Sequence, residues 1–444
     1  LVLEPSSLEM DSIIPSFSVA DSPSSDISLL ALLKRLERVE LSSGVFVFET
    51  FSPEHEINRI AIRLYITVFI IPLYIIKFMQ NERIHYLDSL RAFAMYLGII
   101  LHATLPFFPW HGSYEMKEGY GILLLIIHGF RMPLFMIISG FFAEMIIRKH
   151  GVIKFIDNRL RRIGLPYLVF VPLITALFIS TYIIGSIFVD WDSLNINKET
   201  KESKDDDEFS HAHLWFMYFL LIFTFIYSGI IYFSKKINIK ININYCLLAL
   251  VPMILFFVIF QPEEIISRPA TDVTFLPHWS ILGYYFAFFL FGALFFRLEN
   301  NGRNFIEKIS KKQKFFYWIP IISFFACLII DENKTYLLGE LFNFIYTWSS
   351  AIVLVLIFYK FINKPNSKIR YLSNASYYIY IIHIPFIILF QGIFSSLEIH
   401  HSVKFIMIII LTTGISLITY HYFVRNTFIG ILLNGKKSKE QIGV

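Results

Sequence analysis

The stretch RIHYLDSLRAFAMYLGIILHATLPFFP, from Arg83 to Pro109, decides the fold. It begins with polar residues and continues as an apolar run that contains one histidine. The pattern predicts a helix in which Asp88, Arg91 and His102 share a face, and Arg91 and His102 lie roughly 16 Å apart along the axis. If Arg91 is at a membrane surface, His102 is near the bilayer centre. An ionisable side chain at that depth indicates a functional site.

The composition is that of a polytopic membrane protein. The chain has 444 residues, of which 56% are hydrophobic, 18% aromatic and 16% charged, which is too apolar for one soluble domain. The net charge of +5 does not require a nucleic-acid partner, because the basic residues cluster in loops beside apolar segments. Cys246 and Cys327 both lie in apolar segments, so we expect neither a disulfide nor a metal site.

Ten apolar segments are long enough to cross a bilayer, and backbone in hydrocarbon must satisfy its own hydrogen bonds, so these segments are predicted to be helices. The sequence therefore predicts an all-α polytopic membrane bundle of about ten transmembrane helices. We assign the membrane domain to residues 79–430 and a cytoplasmic tail to 431–444. The predicted segments are approximately 92–109, 121–143, 164–188, 212–233, 245–260, 277–296, 315–330, 341–359, 375–395 and 403–424.

Lysine and arginine are concentrated in alternate connections, which places those connections and both ends of the bundle in the cytoplasm. This orientation fits a multi-pass protein of the cytoplasmic (inner) membrane. The acidic connection at 190–208 is then outside and solvated. Residues 1–78 differ in composition from the rest, and Met79 lies shortly before the stretch Arg83–Pro109. We expect 1–78 to be either upstream sequence that is read through or a poorly ordered cytoplasmic tail.

Polar side chains recur at similar depth in three of the predicted helices: His102 in the first, His128 and Arg131 in the second, and His383 in the ninth. A single buried histidine is more often a packing residue than a catalyst. Several at matched depth, together with an arginine, favour a site. Histidine titrates near neutral pH and can act as a general base, so the chemistry indicated is proton transfer.

The segment NRLRRIGLP at 158–166 is interpreted as a cytoplasmic loop in which Arg159 and Arg162 share a face. From the residues alone two interpretations stay open. The arginines either mark only the cytoplasmic side, or they bind phosphate, for which the guanidinium has suitable geometry.

Three further polar residues have simpler interpretations. Ser139 precedes a glycine, which indicates close helix packing rather than a nucleophile. His211 and His213 resemble a metal-binding pair only weakly and are interpreted as part of an interfacial belt at the outer end of the fourth helix. No metal site is predicted.

Several segments resemble the acyltransferase 3 family of integral membrane acyltransferases. The resemblance spans roughly residues 83–425, in family order, and is greatest to the branch that succinylates periplasmic glucans. The segments that carry it are YLDSLRAFAMYLGIILH at 86–102, FRMPLFMIISGFF at 130–142, NRLRRIGLPYL at 158–168, HLWFMYFLLIF at 213–223 and SYYIYIIHIPF at 376–386.

This resemblance implies an acyl-CoA donor on the cytoplasmic side and a glycan hydroxyl as acceptor. The arginine–ten residues–histidine pattern of the family falls on Arg91 and His102, and its Arg-x-x-Arg pattern falls on Arg159 and Arg162. The resemblance therefore favours the phosphate-binding interpretation of Arg91, Arg159 and Arg162, and it assigns the essential histidine to His102.

The expected function is therefore an O-acyltransferase in which His102 is the general base. His128 and Arg131 would orient His102 or stabilise an oxyanion, while Asp88, Ser139 and His383 would support the site. Succinyl-CoA or acetyl-CoA would be a co-substrate, and no bound cofactor is expected.

A covalent acyl relay through His102 stays open. The alternative is a transporter or flippase of a lipid-linked sugar, although no internal repeat is visible. The sequence does not indicate an oligomeric state.

Overall fold

The computed structural model describes residues 84–105, 118–188, 212–237, 253–254, 256, 260, 273–298, 306, 316–330 and 332–434. These residues belong to one compact unit, Ile84–Val444. The predicted extension at 1–78, the acidic connection at 190–208 and most of the fifth predicted helix lie outside the described residues.

The described part of the chain is built from α-helices, two π-helical turns and one 3₁₀ turn. The π turns are Leu160–Gly164 and Tyr420–Val424, and the 3₁₀ turn is Ala212–Leu214. The helices are α1 His85–Thr104, α2 Glu118–His150, α3 Val152–Arg159, α4 Leu165–Phe188, α5 Trp215–Lys236, α6 Trp279–Leu298, α7 Trp318–Ile329, α8 Glu332–Phe361, α9 Ser367–Ser395, α10 His401–Thr419 and α11 Phe428–Asn434.

The prediction of an all-α polytopic membrane bundle is confirmed. Among the described residues, seven helical runs are long and apolar enough to cross a membrane, and one of them joins α3, the first π turn and α4. Helix α1 starts with polar residues and α7 has only 12 residues, so neither is among the seven. The total of about ten spans and the cytoplasmic location of both ends stay predictions.

The segment 158–166 is not a loop, and that interpretation was wrong. It completes α3 and continues through the π turn Leu160–Gly164 into α4. Pro166 has no backbone N–H to offer the carbonyl of Arg162 four residues earlier. The hydroxyl of Tyr377, on α9, donates to that carbonyl at 3.1 Å. A side chain from another helix thus stabilises the irregular turn, which holds Arg162 just before the first residue of α4.

Helix α2 also contains a proline whose missing hydrogen bond is replaced from elsewhere. Pro133 leaves the carbonyl of Gly129 without its helical donor. The hydroxyl of Thr347, on α8, donates to this carbonyl at 2.7 Å. In an apolar bundle an unpaired carbonyl is costly, so this bond both permits the proline and fixes α8 against α2.

The centre of the bundle is the contact between α2 and α6, where the two backbones approach very closely. A Cβ atom at Gly140 would collide with the carbonyl of Phe289, and one at Gly292 would collide with the carbonyl of Ile137. Small residues are what allow such an approach in membrane helices. The close packing predicted beside Ser139 is therefore present.

Candidate active site

Three arginines from two parts of the chain form a cluster at one end of the bundle, which we call the arginine cluster. Arg159 lies within electrostatic range of Arg162 and Arg91, and Tyr377 lies close to Arg159 and Arg91. Arg91 is paired with Asp88 at 3.6 Å. Neither Arg159 nor Arg162 has an ion pair with a carboxylate in the part of the chain that is described. The cluster thus has an excess of positive charge and the planar donors that suit phosphate.

Contacts from α2 and α3 orient Arg159. Its Nη2 donates to the carbonyl of Ser139 at 3.4 Å, and its guanidinium lies 5.4 Å from the ring centre of the buried Phe155. Ser139 therefore contributes its backbone carbonyl to the arginine cluster. This contact is compatible with the predicted supporting role.

A second cluster, which we call the histidine cluster, forms further along α1. The rings of His102 and His383 have centres 5.2 Å apart. His102 is also within electrostatic range of Arg131, His128 and His213. The four polar residues that the sequence predicts at matched depth are therefore brought together, from α1, α2 and α9. His213, in the 3₁₀ turn before α5, joins them.

Gly98 makes room for Arg131 in this cluster. A Cβ atom at position 98 would stand 2.6 Å from Arg131 Nη1 and 3.7 Å from His383 Nε2. Arg131 is 9% exposed, and its Nε is buried without a hydrogen-bond partner. No ion pair compensates its charge among the described residues. A buried cation without a counter-charge is costly, so this position is suited to a substrate group on which negative charge develops.

Hydrogen bonding determines which ring nitrogens of this cluster can accept a proton. Nδ1 of His383 lies 2.7 Å from the carbonyl of Tyr380, and since a carbonyl only accepts, Nδ1 carries the hydrogen in the neutral ring. His383 Nε2 is then a bare acceptor. It is buried without a partner, as is His102 Nδ1. In the described part of the chain, no three His, Cys, Asp or Glu side chains are grouped as metal ligands.

His213 was not predicted as a site residue, and its assignment to an interfacial belt was wrong. It is buried inside the bundle, with its ring centre 5.3 Å from that of His383. Its Nε2 lies 2.8 Å from the carbonyl of Ile381. Pro385 lacks the N–H that would bond this carbonyl within α9. The proline after His383 was the signal in the sequence that a donor is required here.

A buried carboxylate that was not predicted as a site residue connects three helices near the basic carboxy-terminal end of α2. Glu144 is 1% exposed. It accepts from Arg148 Nε at 2.7 Å, from Arg297 Nε at 2.6 Å and from the Tyr227 hydroxyl at 2.6 Å. An acid inside an apolar run was the available signal. By accepting hydrogen bonds from these three donors, Glu144 connects α2, α5 and α6.

The family model of the acyltransferase 3 family, described as an acyltransferase domain, matches residues 84–421. The chain belongs to this family. It is a multi-pass membrane acyltransferase, as the resemblance predicts, and this decides against the transporter alternative. Curated relatives of this acyltransferase include proteins named glucans biosynthesis protein C from Salmonella paratyphi B, Salmonella dublin and Salmonella gallinarum. Each is 25% identical over 386 residues, which covers 81% of this chain and 96% of the relative. No solved structure matches the chain.

Proposed function

We propose that this acyltransferase moves a succinyl or acetyl group from acyl-CoA on the cytoplasmic side of the inner membrane to a hydroxyl of a cell-envelope glycan. The name of the relatives supports a glucan as the acceptor class. The two clusters support separate roles in donor binding and in acyl transfer, because one is rich in phosphate-binding donors and the other contains ring nitrogens without hydrogen-bond partners.

The observation that carries the proposal is the pair of unpartnered nitrogens, His102 Nδ1 and His383 Nε2, beside the uncompensated Arg131. Acyl transfer to a hydroxyl needs a group that accepts the hydroxyl proton and a group that stabilises the negative charge on the carbonyl oxygen. The histidine cluster contains both types of group in one buried region.

In the proposed reaction, His102 takes the proton from the sugar hydroxyl, and the oxygen attacks the carbonyl carbon of the thioester. Arg131 stabilises the oxyanion of the tetrahedral intermediate. The C–S bond then breaks, and the thiolate of CoA takes the proton from the imidazolium of His102. The products are the glycan ester and free CoA thiol. His383 and His128 orient His102, and His102 acts as a base rather than as a covalent relay.

The arginine cluster binds the phosphates of acyl-CoA in this proposal. Arg91 and His102 lie on the same helix, α1, with three turns between them. CoA itself has its phosphates and its sulfur at opposite ends of a flexible arm. Phosphates at Arg91, Arg159 and Arg162 would therefore leave the arm free to extend along α1 towards His102.

The test is transfer of label by purified protein in detergent or proteoliposomes. Succinyl-CoA and acetyl-CoA, each labelled in the acyl group, are supplied with a cell-envelope glucan fraction, and acyl ester on the glucan is measured by mass spectrometry. We expect transfer from at least one donor by the wild-type protein and none above background by His102→Ala. Movement of unmodified glucan across proteoliposomes without acyl transfer would contradict the proposal.

A further inference from the structure

We propose that His213 is a positioning residue, which holds His383 in place by donating to the backbone carbonyl that Pro385 leaves open in α9. This inference rests on the proposed function, in which His383 orients His102. It assigns to His213 a role through the backbone of α9 rather than a contact with substrate.

The need for such a donor follows from the position of Pro385. In a regular helix the N–H of residue 385 would bond to the carbonyl of Ile381, and proline has no N–H. Ile381 is fully buried, and its turn of α9 also contains His383. A carbonyl without a donor at this place would cost free energy and would favour a shift of the backbone towards another donor.

Two hydrogen bonds clamp this turn of α9 to the 3₁₀ turn that precedes α5. The Nε2–H of His213 donates to the carbonyl of Ile381 at 2.8 Å, and the hydroxyl of Tyr380 donates in return to the carbonyl of His213. The clamp therefore holds the turn that carries His383, and within this turn the carbonyl of Tyr380 accepts from Nδ1 of His383, which leaves its Nε2 bare.

The geometry gives His213 a positioning contact, and a substitution by glutamine distinguishes this role from proton transfer. The hydrogen on Nε2 of His213 is used by Ile381, and the ring packs edge-on against that of His383, at an interplanar angle of 85°. His213 therefore supplies one N–H at a defined point, while its Nδ1 is buried without a hydrogen-bond partner. The amide of glutamine also supplies an N–H on a side chain of similar reach, but it cannot take up a proton at neutral pH.

The experiment compares His213→Gln and His213→Ala with wild type in the labelled transfer assay. The matched control is Tyr227→Phe, which removes a different buried hydrogen bond further along α5. We expect His213→Ala to lower kcat by about 10- to 100-fold, as a shift of about 1 Å in a catalytic group can do, with the KM for donor within about twofold of wild type. His213→Gln should keep kcat within about threefold, and Tyr227→Phe should lower thermal stability in detergent without lowering kcat.

Each contrary result has a distinct meaning. If His213→Gln is as inactive as His213→Ala, the residue exchanges a proton or contacts substrate, and the positioning role is wrong. Wild-type kcat in His213→Ala would show that the Ile381 carbonyl needs no donor. An equal loss of kcat in Tyr227→Phe would show that the loss in His213→Ala reflects general destabilisation of the fold and not the position of His383. Absence of transfer by the wild-type protein contradicts the proposed function itself, whereas normal transfer by His213→Ala contradicts only this inference.

Discussion

The guanidinium of Arg131 lies where a side chain at Gly98 would begin, with Nη1 2.6 Å from the position of a Cβ atom there. Helix α1 can therefore hold Arg131 against His383 only because residue 98 has no side chain. The group that would be displaced is the far end of a flexible side chain, not backbone. A substitution at Gly98 should therefore move Arg131 at little expense of folding.

Gly98→Ala should lower kcat by about 10-fold and leave thermal stability in detergent close to that of wild type, because Arg131 moves away from the developing oxyanion. Gly229→Ala is the control, since a Cβ atom there has no neighbour within 4 Å. The measurement is acyl transfer by equal amounts of purified protein. Normal kcat in Gly98→Ala would show that Arg131 does not stabilise the oxyanion.

His102→Ala should abolish acyl transfer in a protein that still inserts and folds. Loss of a general base typically costs about 10²–10⁴ in rate. His102→Gln keeps a hydrogen-bonding side chain but cannot accept the proton, so it should be nearly as inactive, and His128→Ala should be milder. Acyl content of the glycan is compared in cells with equal membrane levels of each variant. Normal acylation by His102→Ala would transfer the role of base to another histidine of the cluster.

Arg159→Ala and Arg162→Ala should raise the KM for the acyl-CoA donor more than that for the acceptor. Each charge-assisted contact with phosphate is worth on the order of 1.5–3 kcal/mol, which corresponds to roughly 10- to 150-fold, and excess donor should partly restore the rate. Arg161→Ala is the matched control, because Arg161 is exposed and pairs with Asp157 at 2.8 Å. The same KM for the acyl-CoA donor in all three variants would show that Arg159 and Arg162 mark only the cytoplasmic side and do not bind phosphate.

Gly140→Ala and Gly292→Ala should destabilise the fold, in contrast to Gly98→Ala. At both positions the added methyl group meets backbone of the facing helix, so α2 and α6 must separate. Overpacking of this kind typically costs about 1–3 kcal/mol. Thermal unfolding in detergent measures the effect. A wild-type melting temperature in both variants would show that α2 and α6 can accommodate the added methyl groups without loss of stability.

The predicted orientation can be tested with reporter fusions after Val444 and within 190–208. The excess of basic residues on one side predicts that the two fusions report opposite sides, with the first in the cytoplasm. Fusions that report the same side would contradict the model of about ten spans.

The sequence was sufficient for the helical membrane fold and for most of the histidine cluster, because depth along a spanning helix can be counted from the residues. Depth along the helices predicts that His102, His128, Arg131 and His383 belong together, and the structure places them together. Which helices are neighbours cannot be counted in this way. The contact of His102 with His383 depends on α1 packing against α9.

His213 shows why the remainder of the site was missed. It stands close to the outer end of a predicted helix, where depth alone suggests an interface, and its role depends on Ile381, 168 residues later in the chain. Glu144 could have been found, since an acid within an apolar run is a strong signal, but its partner Arg297 is 153 residues away. The helical form of 158–166 could not be predicted because the hydroxyl that bonds to the Arg162 carbonyl belongs to Tyr377, 215 residues later.

The hydrogen bond from Thr347 to Gly129 has a consequence for biosynthesis. Thr347 is made 218 residues after Gly129, so during translation α2 enters the membrane with one carbonyl that its own helix cannot satisfy. In hydrocarbon such a group costs several kcal/mol. The nascent amino-terminal half therefore lacks the donor that the finished fold provides for this carbonyl until α8 has been synthesised.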